Sequence, residues 1–240
     1  MKKKTEQVPN DNVRKTPTET SPGRRAKLTR EEVLDAALNL VDKDGFDALS
    51  MPRLAKALGV GTMTLYGYVK NRDDLLDALV DRILEPVAAT GVKGSNWKKN
   101  LQRHFKQLHA AALAHPAIGK LIAERGFKST SMLALQADLF TLMRNAGFKK
   151  EETVRGYYTL LHYTLGFIAW QIPRTIEQPI ETYHAIWASQ IDSLPKEQAT
   201  ALSKLQKKLV MVADEQQFEY GMQMIWSYLE ERETGTKHHE

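Results

Sequence analysis

The segment from Ser50 to Arg72 carries basic, hydroxyl and aromatic side chains but no carboxylate. Its basic residues are Arg53, Lys56, Lys70 and Arg72. Aspartates flank it on both sides: Asp42, Asp44 and Asp47 before it, and Asp73, Asp74, Asp77 and Asp81 after it. Cationic and hydroxyl side chains bind phosphate oxygens, so an acid-free segment in an acid-rich neighbourhood favours a surface that binds a polyanion. Chance is the alternative on so short a segment.

The same segment has the pattern of two short helices joined by a tight turn. Ser50 can cap the first helix, Pro52 fits its first turn, and Gly59 can adopt the left-handed conformation that ends it. A further short helix is expected at about 61–67. Apolar residues can close a small core between the helices: Leu54, Ala55, Leu58, Val60 and Leu65. This pattern predicts a helix-turn-helix, whose second helix fits the major groove of B-DNA. An ordinary helical hairpin is the alternative.

Composition limits the class of protein. The chain has 240 residues, 34 basic against 29 acidic side chains, and no cysteine, which excludes disulfides and thiolate metal sites. Residues 1–30 hold nine basic and three acidic groups, so the net charge of +5 comes from the amino-terminal segment. Residues 1–22 have little to bury and are expected to be a disordered basic tail. No apolar run could span a membrane or serve as a signal peptide, so we expect a cytoplasmic protein with no membrane partner.

Helical periodicity dominates the remainder of the chain, and no run alternates as a strand would. Thr29 and Glu32 form a capping box before the first helix, and Asn71 can cap a longer one in which Pro86 should disturb or end the regular part. Further helices are expected near 97–114, 117–124, 130–145, 150–178, 196–210 and 214–232. The predicted fold is all-α: a helix-turn-helix three-helix head at 23–72, and a helical bundle at 73–233 for effector binding and dimerisation.

The sequence resembles the TetR family of bacterial transcription repressors, and its tetracycline-repressor branch in particular. The resemblance is specific over about residues 29–85 and weaker beyond. The segments that carry it are Gly45–Ser50, Leu54–Val60, Thr64–Leu79, His162–Gly166 and Phe218–Ile225. The resemblance implies a homodimer whose two heads bind half-sites of a palindromic double-stranded operator. It also implies a small-molecule effector in the bundle that releases the DNA.

By position, the resemblance assigns DNA contacts to residues of the head. Thr62 and Met63 should face bases, with Arg53 joining them. Backbone contacts are expected from Thr64, Tyr66, Tyr68, Lys70 and Arg72, and from Lys27 in the basic arm before the first helix. Pro52 stands where the tetracycline branch has an arginine, so the preferred operator should differ.

The predicted effector site rests on helical spacing and on the same resemblance. Tyr158, His162 and Leu165 share one helix face, as do His104 and Leu108 on another. The full predicted set is Ala88, His104, Leu108, Ile122, Leu135, Leu139, Tyr158, His162 and Trp170. Ile122 and Trp170 replace the histidine and glutamate through which tetracycline repressors bind a magnesium chelate, and neither can ligate a hard cation. We therefore expect a larger, aromatic or apolar effector with no metal and no cofactor; plain core packing is the alternative.

The last helix carries the apolar stripe Phe218, Met222, Ile225, Trp226 and Leu229, which fits either a dimer interface or intrachain core. Pro173 should kink or end the long helix before it.

Three other functions compete with a ligand-responsive repressor. A regulator without a small-molecule switch, constitutive or activating, would share the head but have a filled core. An enzyme is disfavoured because no nucleophile elbow, phosphate loop or metal-ligand pair is present. A ligand carrier is disfavoured by the acid-free surface of the head.

Overall fold

The computed structural model describes residues 28–177, 180–205 and 213–236, and every regular element in them is helical. The α-helices are α1 Arg30–Asp44, α2 Met51–Leu58, α3 Thr62–Leu65, α4 Arg72–Ala89, α5 Trp97–Ala114, α6 Pro116–Arg125, α7 Thr130–Asn145, α8 Lys150–Thr175, α9 Ile180–Asp192, α10 Lys196–Ser203 and α11 Glu215–Thr236. The all-α prediction is confirmed. The predicted tail 1–22 and Lys27 lie outside the described residues.

The head forms from α1, α2 and α3, and the predicted caps Thr29 and Ser50 begin α1 and α2. Thr29 Oγ1 accepts the backbone N–H of Glu32 at 3.1 Å, and Glu32 Oε2 accepts that of Thr29 at 2.8 Å. Both halves of the capping box are therefore present, which satisfies two otherwise unpaired amides. Val33 of α1 and Leu54 of α2 are fully buried in the core between these helices.

Helix α4 connects the head to the bundle. Asn71 caps it by accepting the backbone N–H of Asp74 at 2.8 Å. Helix α4 packs on α1 and also contacts α5, α6 and α7. The expectation that Pro86 ends its regular part is wrong, because α4 continues to Ala89. A proline so near the carboxyl end removes only one of the last intrahelical hydrogen bonds.

The bundle core lies between α4, α5, α6, α7, α8 and α11. Gly119 of α6 sits where helices approach closely: a Cβ there would lie 2.5 Å from the carbonyl oxygen of Ala112 and 2.7 Å from Ile172 Cδ1. Any side chain at this position would separate α6 from α5 and α8. None of the helices in the described ranges is long and apolar enough to cross a membrane.

One helix is not predicted by the sequence, and two others end earlier than predicted. Helix α9 at Ile180–Asp192 occupies a segment expected to be a connection, because Pro179 and Pro195 are typical of a break between helices. Its residues are nearly all exposed, so it lacks the buried stripe from which a helix is usually recognised. Helix α8 continues through Pro173 to Thr175, and the predicted helix 196–210 ends at Ser203, with 206–210 outside the described residues.

The apolar stripe of the last helix is intrachain core. Phe218, Met222, Trp226 and Leu229 are all at most 3% exposed within the single chain. The large apolar residues that α11 leaves exposed are instead Tyr220, Met224 and Tyr228, at spacings of four. Of the two alternatives for the stripe, intrachain packing is therefore correct for these four residues.

Candidate DNA-binding surface and effector cavity

The turn between α2 and α3 positions the candidate DNA-binding helix. Gly59 ends α2 with φ of 66°, a left-handed conformation that favours glycine, and its N–H bonds the carbonyl groups of the preceding turn. Leu54 and Leu65 are fully buried, and Ala55 is 3% exposed. These contacts hold α3 against α2 with one side inward.

The other side of α3 faces solvent. Met63 is 82% exposed and Tyr66 is 46% exposed. Thr64 is exposed and Thr62 is half-buried. Methyl, thioether and hydroxyl groups on a projecting helix can contact base edges and phosphates in a groove. Lys70 is exposed just beyond this helix.

Three predicted DNA contacts are engaged within the chain. The guanidinium of Arg53 lies 2.6 Å from Asp44 Oδ2. Tyr68 donates its hydroxyl proton to the carbonyl oxygen of Leu28 at 2.6 Å. Arg72 donates from Nε to the carbonyl of Leu49 at 3.2 Å. Tyr68 and Arg72 therefore stabilise the fold of the head. Their spacing in the sequence does not indicate these intrachain hydrogen bonds.

Two of the aspartates that follow the acid-free segment, Asp73 and Asp77, pair with cations of the bundle. Asp73 and Asp77 of α4 accept from Arg125 at 2.6 and 3.3 Å, and Asp77 also accepts from Lys128 at 2.8 Å. The Lys128 ammonium beside Asp77, with Arg125, lowers the pKa of that carboxyl. Asp74, between them, instead accepts the backbone N–H of Lys70 at 2.8 Å, so this carboxylate remains beside the acid-free segment.

A cavity of about 510 Å³ lies where the loop after α6 meets α7 and α8. Its lining residues are Gly126, Phe127, Lys128, Ser129, Leu133, Gln136, Tyr158, Leu161 and Leu165. Gln136 donates from Nε2 to the Tyr158 hydroxyl at 3.3 Å. A mostly apolar wall with a few polar groups suits a small organic ligand.

Of the nine predicted effector contacts, the structure brings only Tyr158 to this cavity. Leu108, Ile122, Leu135 and Leu139 are at most 4% exposed and belong to the packed core, and Ala88 packs against that core. His162 and Trp170 lie on the exposed side of α8, and the guanidinium of Arg174 stacks on the Trp170 ring at 3.2 Å. Helical spacing identified a shared face but not whether that face is buried.

His104 is a buried member of an aromatic cluster. It is 3% exposed, its Nε2 lies 3.2 Å from the Tyr157 hydroxyl, and its ring contacts Phe105 edge-on. Burial lowers the pKa of His104 from 6.5 to about 4, so the imidazole is neutral at physiological pH.

The cavity residues missed by the sequence prediction lie mainly on the loop after α6 and on α7. Lys128, Leu133 and Gln136 are among them. Gly126 marked the loop in the sequence, but no periodic signal indicates that a loop forms a cavity wall.

This loop is bonded to α4. Lys128 Nζ contacts Asp77, and the backbone N–H groups of Lys128 and Ser129 bond the carboxylate of Asp81. Burial raises the pKa of Asp81, although these N–H groups oppose that shift. The cavity wall and the helix that carries the head therefore share a set of direct bonds.

Large apolar side chains are exposed along α8 and α11, which pack side by side. They are Val154, Tyr158 and Trp170 on α8, and Tyr220, Met224 and Tyr228 on α11. We call these six residues the α8–α11 face. Within the described ranges, no group of three or more acidic or histidine side chains could hold a metal ion.

Comparison with known proteins identifies the family. A sequence model of the tetR family of bacterial regulatory proteins matches residues 33–79, and one of the tetracyclin repressor-like C-terminal domain matches residues 90–232. The chain therefore belongs to the TetR family of transcriptional regulators, as its sequence indicated. Its head is the family's helix-turn-helix DNA-binding part, and its bundle is the family's ligand-binding part.

Individual relatives agree with this assignment. The transcriptional repressor DrrR1 of Streptomyces coeruleorubidus is 28% identical over 219 residues, which cover 88% of this chain and 80% of that protein. The class D tetracycline repressor of Escherichia coli is 30% identical over 152 residues, 62% of this chain and 69% of that protein. Apo ActR from Streptomyces coelicolor, at 25% identity, matches with a TM-score of 0.74 over 88% of this chain and 99% of its own. ActR in complex with actinorhodin matches at 26% identity with a TM-score of 0.72, over 85% of this chain and 96% of its own.

Proposed function

We propose that this regulator represses transcription by binding a palindromic operator as a homodimer, and that a small molecule in the bundle releases it. The observation that carries the DNA-binding part is the exposure of Met63, Thr64 and Tyr66 in a segment that contains no acidic residue. We assign residues 23–72 to DNA binding and 73–233 to effector binding and dimerisation.

The roles of the head residues follow from their exposure. Thr62 and Met63 contact base edges, whereas Thr64, Tyr66 and Lys70 contact the phosphate backbone and set the register. Arg53 remains available to DNA, because an exposed ion pair such as its contact with Asp44 is worth only about 0–1 kcal/mol. Tyr68 and Arg72 act indirectly, by holding the head in shape.

A second copy of the chain covers the α8–α11 face. Exposed aromatic and methionine side chains at helical spacing on two adjacent helices form an apolar surface of the kind that mediates association. Met224, for example, is 63% exposed and Tyr220 is 64% exposed in the single chain. A two-fold dimer through this face presents two heads to two half-sites about 34 Å apart.

The effector occupies the cavity beside α7 and α8. Its mostly apolar wall favours an aromatic or apolar molecule, and the proposed binding needs no metal. The complex of ActR with actinorhodin supports a small organic effector in a fold of this type. Occupation of the cavity would strain the bonds of Lys128 and Asp81, and so shift the position of α4 and of the head it carries.

One observation favours a regulator without a switch. Leu108, Ile122 and Leu139, predicted as effector contacts, are at most 1% exposed in a packed core. Such a core would suit constitutive binding if the cavity near Tyr158 took no ligand.

Selection from random duplexes tests the DNA-binding proposal. The full chain is incubated with a random-sequence duplex library, and bound DNA is amplified and sequenced. We expect enrichment of a two-fold symmetric site with half-sites one helical turn apart. Enrichment of no sequence, or of a single asymmetric half-site, contradicts the dimeric operator. Mass spectrometry of small molecules that copurify with the chain then tests for an effector and separates the two candidate functions.

A further inference from the structure

We propose that Lys128 selects an anionic effector, by exchanging its bond to Asp77 for one to an acidic group on the ligand. This inference rests on the proposed function, because it concerns the ligand of the same cavity. It specifies the charge of the effector and names the residue that recognises this charge.

In the part of the chain that the structure describes, the residues that line the cavity carry positive charge and no negative charge. Of the described residues that line it, Lys128 alone carries a charge, and the others are apolar or neutral polar. A carboxylate or phenolate on the effector would therefore meet a cation within the lining, and the carboxylate next to that cation, Asp77, lies outside the lining and is also paired with Arg125. A cationic effector would meet an ammonium group and no carboxylate among these described lining residues.

Neutral donors near Lys128 also suit an anion. The Tyr158 hydroxyl accepts a hydrogen bond from Gln136 Nε2, which leaves its own proton free to donate. Ser129 lines the same wall. An acidic group removed from water into a largely apolar cavity needs such partners, since an unpaired buried charge is costly.

Lys128 also belongs to the connection between the cavity and the head. Its Nζ lies 2.8 Å from Asp77 Oδ2, and its side chain is 64% exposed. An ion pair so exposed is weak, so a competing carboxylate can displace it at small cost. Asp77 lies on α4, and it keeps a contact with Arg125 at 3.3 Å after Lys128 leaves.

The exchange therefore links effector charge to head position. A ligand that takes Lys128 removes one of the bonds holding the loop after α6 to α4, whereas a neutral ligand of the same shape leaves it in place. Lys128 is in this sense a specificity-determining residue, and Asp77 is the group with which the effector competes.

A matched pair of aromatic probes tests the inference. Affinities of anthracene-2-carboxylate and anthracene-2-carboxamide are measured by calorimetry with the full chain, and each probe is titrated against the complex with a duplex selected by the wild type. We expect the carboxylate to bind about three- to fivefold more tightly than the amide, because an ion pair with so exposed an ammonium is worth at most about 1 kcal/mol. Only the carboxylate should release the DNA efficiently.

Variants assign the effect to the residue. Lys128→Met should reduce the preference for the carboxylate to within about twofold, and Lys128→Gln repeats the test if the first variant is unstable. Lys120→Met is the matched control: Lys120 on α6 pairs with Glu177 and lies outside the cavity wall, so the preference should persist. Asp77→Asn should strengthen carboxylate binding a few-fold, because Lys128 no longer has to leave a partner.

The outcomes separate this inference from the proposal on which it rests. Equal affinity of the two probes for the wild type, or an unchanged preference in Lys128→Met, overturns the role of Lys128 while leaving an effector site intact. Failure of both probes to bind contradicts the assignment of this cavity as the effector site, and the inference falls with it.

Discussion

The hydroxyl of Tyr68 lies 2.6 Å from the carbonyl oxygen of Leu28, just before the first helix of the head. The bond joins the segment after α3 to the start of α1 across forty residues of sequence. Tyr66, two residues earlier, is 46% exposed and takes no part in that contact. Two neighbouring tyrosines with similar chemistry therefore have different tasks, one inside the head and one on its surface.

Removing each hydroxyl separates these tasks. Tyr68→Phe should lower the free energy of unfolding by about 0.5–1.5 kcal/mol, because the Leu28 carbonyl loses its donor. Tyr66→Phe should leave stability within about 0.5 kcal/mol of wild type and weaken binding to all duplexes alike. Urea unfolding and duplex titrations of both variants measure the difference. Unchanged stability in Tyr68→Phe would show that its hydroxyl is free for DNA.

Met63 and Lys70 should affect DNA binding in different ways. Met63→Ala should change which bases are preferred, at a cost of about 1–3 kcal/mol on the best wild-type site. Lys70→Ala should weaken binding to all duplexes about equally, because it contacts phosphate. Repeating the selection with each variant measures this. A changed sequence preference in Lys70→Ala, with overall affinity intact, would show that the docking is assigned incorrectly.

A charge on the α8–α11 face should prevent dimerisation. Met224→Lys places an ammonium among the exposed apolar residues of α11, where a partner chain would have to desolvate it. We expect sedimentation to show a monomer, with operator affinity lost in parallel. Ala137→Lys, exposed on α7, introduces the same charge outside that face and should remain dimeric. A Met224→Lys variant that stays dimeric would place the interface elsewhere.

His104 should make the protein less stable in mild acid. Burial lowers its pKa from 6.5 to about 4, so between these values the unfolded chain binds a proton that the folded chain does not. Above pH 6.5 the imidazole is neutral in both states and costs no stability. As the pH falls from 6.5 toward 4, the free energy of unfolding decreases by up to about 1.4 kcal/mol per pH unit. His109, whose pKa burial also lowers, adds to the same loss.

Unfolding at several pH values measures this dependence. His104→Leu should flatten the decline between pH 6.5 and pH 4.5, whereas His184→Leu, exposed on α9, should follow the wild type. An equally steep decline in His104→Leu would mean that other groups titrate in this range.

Local signals in the sequence predict most of the helices. Thr29, Ser50 and Asn71 are recognisable as caps, and each accepts the expected backbone N–H. These interactions span only three residues, so they depend on residue type and spacing alone. Helix α9 escapes such prediction because it is almost fully exposed and has no buried stripe.

The effector cavity is harder to predict from the sequence, because its walls depend on contacts between segments that are far apart in the chain. Adjacent Tyr157 and Tyr158 are equally aromatic, yet one is fully buried and the other is 39% exposed. Only the packing of α5 and α7 against α8 decides which of them faces the core. Likewise, the bond between Lys128 and Asp77 joins residues 51 apart in sequence. Helical periodicity carries no information on such pairs.

The salt dependence of DNA binding tests the central claim most directly. Affinity of the full chain for its selected duplex is measured from low to moderate salt, for wild type and for Lys70→Ala. We expect the logarithm of the affinity to fall steeply and linearly with the logarithm of the salt concentration, at about 0.9 per phosphate neutralised. Loss of one lysine contact per head should make that slope shallower by about 2 for the dimer. A wild-type affinity that hardly changes with salt would contradict the claim that the acid-free segment of the head binds DNA.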